Sequence, residues 1–126
     1  MNDLQYREHC LGLLASFAEL MDKQSAHTSN DDPLRELASE FELLASGADL
    51  YDNGPPLVAK LFSSCPHLAP AFPRELLWFL GGECLHYMPD EEMDLFQKLD
   101  DMRTEAEAAG TLLDYHEAHA NLLKLQ

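Results

Sequence analysis

The segment Glu83-Cys84-Leu85-His86 carries the residue types most suited to chemistry. A glutamate and a histidine three residues apart share one face of a helix, so both side chains could reach one metal ion, as in helical di-iron proteins. Those proteins use a second Glu-x-x-His on a facing helix, and this chain has none. A metal-binding hypothesis centred on Glu83 and His86 therefore needs other carboxylates, such as Glu91 or Glu92. The alternative is that Glu83 and His86 pair with each other at the solvent edge of a helix.

Two other groups of residues suggest chemistry less specifically. His116 and His119 have zinc-ligand spacing, but zinc sites usually have a third protein ligand, and we favour the interpretation that both lie on the exposed face of a terminal helix. Cys84 and His86 are two residues apart and point in different directions on a helix, which favours an inert thiol over a nucleophile. The sequence has no G-x-G-x-x-G, no P-loop and no G-x-S-x-G motif. We therefore predict no catalytic residue, no cofactor and no resident metal.

The charge of the chain restricts its partners. Its 126 residues include 23 acidic and 8 basic side chains, a formal net charge of −15. Such a surface repels phosphate backbones and anionic lipid headgroups, so nucleic acids and membranes are poor partners. The acidic residues outnumber the basic ones by 8 in residues 1–54 and by 7 in residues 89–126, whereas the two balance in residues 55–88. We expect the neutral middle to form the core and the acidic ends to wrap it.

Cysteine usage and hydropathy predict the compartment. Cys10, Cys65 and Cys84 are an odd number without C-x-x-C spacing, which indicates neither a disulfide framework nor a zinc ribbon. The mixed charge of the N-terminus is unlike a signal peptide. The longest apolar run, Leu76 to Gly82, is far shorter than the roughly 20 residues that cross a bilayer. These features predict a soluble protein of the reducing cytoplasm.

Apolar residues recur at steps of three and four along most of the chain, which is typical of amphipathic α-helices. The fold class predicted is all-α, a single domain over 1–126, with a compact bundle of five to six helices around a central apolar helix (about 74–87). The predicted helices are 3–23, Asp32 to Gly47, Leu57 to just before Cys65, 74–87, Pro89 to Gly110, and Asp114 to the chain end.

The segments between these helices are predicted from their turn residues. Gln24 to Asp31 is polar and predicts a loop. Asp49 to Pro56 combines Asn-Gly with two prolines and predicts a tight turn. Three prolines in 66–73 predict an irregular linker, whose Leu68 and Phe72 we expect to press onto the core.

The central helix has the most informative composition. Its residues 76–80 are all large and apolar and would cover every side of the cylinder, which predicts burial all round. Gly81 and Gly82 each cost about 1 kcal/mol in a helix interior relative to alanine. Their presence predicts a close helix crossing, a kink or a ligand against the backbone.

The leading functional hypothesis is a small acidic regulatory or adaptor protein that acts by protein–protein interaction without catalysis. Its partner would be another protein, preferably a basic one, and the chain would also form a homodimer. The contact residues expected are Phe72 and Trp78 in an aromatic groove beside the prolines, with Glu91 and Glu92 on the acidic surface. Two alternatives remain: the metal-binding protein or enzyme centred on Glu83 and His86, and an acidic nucleic-acid mimic that binds a basic protein.

Overall fold

A computed structural model describes residues 1–26 and 32–124 of the chain. All regular secondary structure in these two ranges is helical, which confirms the all-α prediction. The α-helices are α1 (Asp3–Gln24), α2 (Pro33–Ala45), α3 (Leu50–Ser64), α4 (Arg74–Leu80), α5 (Asp90–Ala108) and α6 (Tyr115–Lys124), and two 3₁₀ helices run over Pro66–Ala71 and Gly82–Tyr87. Most of the loop predicted over Gln24 to Asp31, and the last two residues of the helix predicted from Asp114, lie outside the described residues. No described helix is both long and apolar enough to cross a membrane.

The chain divides into two units by its internal contacts. The first unit contains residues 1–8 and 88–126, and the second contains residues 9–87. The boundary falls within α1, whose first residues belong to one unit and whose remainder belongs to the other. Each unit is described separately.

The core of the 9–87 unit is a cluster of phenylalanine rings. Phe72 packs edge-on against Phe17 and Phe62, with ring centroids 5.1 and 6.0 Å apart, and Phe17 packs in the same way against Phe41 at 5.3 Å. Edge-to-face aromatic pairs at these separations are favourable beyond their buried area. Phe72 and Leu68 are 2% and 4% exposed, which confirms that this segment presses onto the core.

One acidic side chain is buried in the same unit. Glu75 on α4 is 8% exposed, and its Oε1 lies 2.6 Å from Nε2 of His9 on α1. A buried carboxylate is costly unless it is paired or hydrogen-bonded. The contact with His9 supplies such a partner and ties α1 to α4.

Several predicted helix ends are confirmed in detail. The side chain of Asp32 accepts a hydrogen bond from the Leu34 amide at 2.8 Å, and Pro33 begins α2. Gly47 follows the end of α2 with a left-handed φ of 90°. Asp114 Oδ1 accepts from the Glu117 amide at 3.1 Å and so caps α6.

The tight turn predicted over Asp49 to Pro56 is wrong, because α3 already begins at Leu50 and includes Gly54 and both prolines. Gly54 is buried, and a Cβ at this position would stand 2.8 Å from Cδ2 of Leu80. The glycine therefore permits a close approach of α3 to the end of α4 instead of a turn. This tertiary contact overrides the local preference of the segment.

The single helix predicted over 74–87 is also wrong. α4 ends at Leu80, and a 3₁₀ helix follows from Gly82, whose left-handed φ of 53° interrupts the α-helix. The prediction that this helix is buried on every side is also wrong, because Trp78 and Phe79 are only half-buried. The two glycines therefore break the helix. A kink is one of the three roles that we expect for them from the sequence.

In the unit of residues 1–8 and 88–126, α5 packs against α6. The buried apolar residues here include Leu95, Leu99 and Ala118. The rings of Tyr6 and Tyr115 stand 5.6 Å apart. These contacts hold the first residues of the chain against its last two helices.

Candidate functional site: a groove between α2 and α3

A groove of about 380 Å³ opens between α2 and α3 in the 9–87 unit. A volume of this size is within the range of ligand-binding clefts. The residues that line it are Glu40, Leu43, Leu44, Ala48, Asp49, Asn53, Pro56, Leu57 and Lys60.

Helical spacing brings the lining residues together. Glu40, Leu43 and Leu44 are three and four residues apart and share one face of α2. On α3, Asn53 and Lys60 also follow this spacing, with Pro56 and Leu57 between them. Leu44 and Leu57 are buried and form the apolar floor. Leu43 is 69% exposed, so the groove has an apolar side chain that nothing in its own unit covers.

Asp49 lines the groove directly before the first residue of α3. Its φ of 50° is left-handed, an uncommon conformation for a residue other than glycine, although aspartate is among those that tolerate it. Its side chain makes no capping hydrogen bond to α3. The carboxylate thus contributes negative charge to the groove and does not serve as a helix cap.

Lys60 is held by two carboxylates of α2. Its Nζ lies 3.2 Å from Oε2 and 3.3 Å from Oε1 of Glu40, and 3.7 Å from Oε1 of Glu36. The hydrogen bond to Glu40 and the negative charges of Glu40 and Glu36 together raise the pKa of Lys60 above its usual value, against the opposing effect of desolvation. The charged residues that line the groove are Glu40, Asp49 and Lys60, and Glu36 lies beside Lys60, so acidic side chains outnumber basic ones here.

The residues of the metal hypothesis are at the surface. Glu83 and His86 are both exposed on the 3₁₀ helix Gly82–Tyr87. Nδ1 of His86 hydrogen-bonds to the backbone carbonyl oxygen of Glu83, not to its carboxylate. Within residues 1–26 and 32–124, no group of three or more histidine, cysteine or acidic side chains is arranged to hold a metal ion.

The second histidine pair is placed on α6. His116 is exposed, and His119 is half-buried with its ring 6.0 Å from that of Phe96 and 6.2 Å from that of Tyr115. His119 therefore packs against aromatic side chains of its own unit.

The predicted interaction residues are divided between the two units. Phe72 is 2% exposed in the core of the 9–87 unit, so its placement in a surface groove is wrong. Trp78 is half-buried in the same unit. Glu91 is exposed and Glu92 half-buried in the first turn of α5, which belongs to the other unit. None of these residues lines the groove between α2 and α3.

Sequence reasoning missed this groove because it assigned residues 49–56 to a turn. The first half of α3 supplies Asn53 and Pro56, which a turn would have placed elsewhere. One signal was present in the sequence. Leu43 lies outside the apolar stripe of α2 formed by Leu37 and Leu44, and this position predicts that its side chain is exposed to solvent.

The fold and the groove define a class: a small acidic all-α protein with an apolar interhelical groove bordered by carboxylates. The chain belongs to the PA2817-like family, whose family model matches residues 2–126. No curated protein and no solved structure matches it.

Proposed function

We propose that the protein acts by binding another protein, without catalysis, and that the groove between α2 and α3 receives an amphipathic helical segment of a basic partner. The observation that carries the proposal is the position of Leu43, 69% exposed beside a groove whose floor is apolar and whose border is acidic. An amphipathic helix presents the matching surface, with an apolar stripe and basic side chains flanking it.

Apolar contact supplies the affinity in this proposal. Complete burial of a leucine side chain contributes about 1.5–3 kcal/mol, and exposed apolar side chains next to a groove are typical of binding surfaces. Leu43 would contribute part of this energy when a partner covers it. Leu44 and Leu57 shape the floor against which the partner's apolar side chains would pack.

Charge selects the kind of partner. The carboxylates of Glu40 and Asp49 line the groove, Glu36 lies 3.7 Å from the ammonium group of Lys60, and the whole chain has a net charge of −15. This distribution attracts basic segments and repels acidic ones, and it accelerates encounter most strongly at low ionic strength. Free anions are disfavoured ligands for the same reason.

The proposal is tested with a synthetic amphipathic helical peptide that has leucines on one face and arginines and lysines on the other. Leu43→Asp is expected to weaken its binding at least tenfold, because the substitution places a charge where an apolar side chain would be buried. Leu112→Asp is the matched control, since Leu112 is 64% exposed and lies in the other unit. Fluorescence anisotropy gives the affinities, and NMR shift changes identify the helices contacted. Equal affinity of Leu43→Asp and Leu112→Asp would overturn the proposal.

The other hypotheses have less support. Glu83 and His86 together provide two donors, fewer than the four ligands of a typical zinc site. The nucleic-acid mimic and the homodimer remain predictions. Binding to a basic DNA-binding protein that survives high salt would contradict the mimic, because surface charge would not be its main source of affinity. Light scattering after size exclusion measures the mass of the particle and so tests the dimer.

A further inference from the structure

We infer that Lys60 occupies the position of a partner's cation, and that an arginine or lysine of the bound segment displaces its ammonium group from Glu36 and Glu40. The inference rests on the proposed function, because it specifies how a basic segment enters the same groove. It adds a competition within the chain between Lys60 and the ligand.

The two carboxylates form a cation site by their spacing. Glu36 and Glu40 are four residues apart on α2, and like charges with this spacing repel each other along a helix. Both approach Nζ of Lys60, Glu40 through both of its oxygens at 3.2 and 3.3 Å and Glu36 at 3.7 Å. A cation is therefore favourable at this position, and in the free protein Lys60 provides it.

The site is exposed enough for a partner's cation to replace the ammonium group of Lys60. The side chains of Lys60, Glu40 and Glu36 are 44%, 38% and 66% exposed, and solvent-exposed ion pairs contribute little to stability. The ammonium group of Lys60 is at the end of a flexible side chain, which can turn towards water without moving α3. Replacing one exposed cation by another thus costs little, while burial of the partner's apolar side chains supplies the gain.

The geometry favours arginine over lysine in the incoming segment. Glu40 presents both carboxylate oxygens to the site, and a planar guanidinium group matches two oxygens with two parallel hydrogen bonds. An ammonium group cannot reproduce this geometry. A lysine side chain is already charged at neutral pH, and the hydrogen bond to Glu40 raises the pKa of Lys60 further, so its ammonium group competes with the ligand throughout the physiological range.

The opposite interpretation is that Lys60 attracts an anionic ligand. Its charge is already balanced by Glu36 and Glu40, and Asp49 adds a further negative charge to the groove. An anion would therefore meet a net repulsive field. A glutamate-rich version of the same leucine peptide serves as the probe for this interpretation.

The experiment compares Lys60→Met with wild type in binding an arginine–leucine amphipathic peptide. Methionine retains an unbranched apolar stem and removes the ammonium group, so Glu36 and Glu40 become available. We expect Lys60→Met to bind at least threefold more tightly. Lys98→Met is the matched control, because it changes the net charge equally from an exposed position on α5 that does not line the groove. Glu40→Gln is expected to weaken binding, and thermal melts followed by circular dichroism verify that each variant is folded.

The possible results separate the inference from the proposed function. If Leu43→Asp abolishes binding but Lys60→Met binds no more tightly than Lys98→Met, the displacement is wrong and the groove remains the binding site. If neither wild type nor Lys60→Met binds the peptide, the groove and the displacement both fail. Tighter binding of the glutamate-rich peptide than of the arginine peptide would also overturn the inference.

Discussion

Gly82 lies directly against Pro55, so that a Cβ placed on the glycine would stand 3.0 Å from Cβ of the proline. The same glycine has a left-handed φ of 53° at the point where α4 gives way to the following 3₁₀ helix. A steric requirement and a conformational requirement therefore coincide at one residue. The break after α4 and the proline-containing part of α3 are shaped by contact with each other.

Replacement of Gly82 by alanine should destabilise the protein by about 1–2 kcal/mol, the cost of a left-handed backbone for a residue with a Cβ. Crowding against Pro55 would add to this cost. Gly12→Ala is the control, because Gly12 is an exposed helical position with nothing within 4 Å of an added Cβ. Gly12→Ala should increase stability by up to about 1 kcal/mol. Urea unfolding measures both, and equal effects of the two substitutions would refute the assignment.

The sequence predicted those features that depend on neighbouring residues. Asp32 and Gly47 mark the ends of α2 through interactions spanning a few residues, and both were located correctly. The contacts of Gly54 with Leu80 and of Gly82 with Pro55 join residues about 26 positions apart, and no local pattern specifies them. The groove depends on α3 beginning at Leu50, so it was missed together with that helix start.

Phe72→Ala should destabilise the protein by about 3–5 kcal/mol, the usual cost of removing a large buried ring. Phe72 contacts three other phenylalanines, Phe17, Phe41 and Phe62, and is 2% exposed. Trp78→Ala is expected to cost less, because Trp78 is half-buried. Chemical denaturation of the two variants under the same conditions gives the comparison. A larger loss for Trp78→Ala would show that this residue is covered by a further surface, such as a second copy of the chain.

Arg103→Met should destabilise the unit of residues 1–8 and 88–126 by roughly 1–3 kcal/mol, through loss of charged hydrogen bonds and a cation–π contact. Arg103 bonds Asp3 and Asp100, and its guanidinium carbon lies 4.5 Å from the centroid of the Tyr6 ring. Burial alone would lower the pKa of Arg103, but the hydrogen bond to Asp3 and the charges of both carboxylates outweigh it and raise the pKa.

Hydrogen exchange provides a second measurement for Arg103. Amides in residues 1–8 should exchange faster in Arg103→Met than in wild type. Their exchange rate in Arg103→Lys should lie between the two, because lysine retains the charge but lacks the planar guanidinium group that donates several hydrogen bonds. Within the described residues, Nε of Arg103 is buried without a hydrogen-bond partner, which reduces the net gain from the arginine. Unchanged exchange in both variants would exclude a stabilising role.

Stability should decline at alkaline pH because of the buried thiols. Desolvation, with the nearby charge of Glu83, raises the pKa of Cys84 above its ordinary value of 9.0. Desolvation, with the charge of Asp32, raises the pKa of Cys65 in the same way. The unfolded chain therefore loses these protons at lower pH than the folded protein. The stabilising contribution is complete below pH 9.0 and is lost as pH rises through the folded-state pKa.

Urea unfolding in reducing buffer at several pH values measures this decline. Cys84→Ala removes one of the two thiols whose pKa is raised, so the free energy of unfolding should fall less steeply with rising pH than in wild type. If the free energy of unfolding falls equally with pH in wild type and Cys84→Ala, the proposed effect of burial on this thiol is wrong.

The division of the chain also has a consequence for biosynthesis. Residues 1–8 leave the ribosome before residues 9–87, but the helices with which they form a unit begin only after residue 88. Residues 9–87 are all available before that, so this unit is free to fold while translation continues. Residues 1–8 must therefore wait until α5 and α6 have emerged before they reach their native partners.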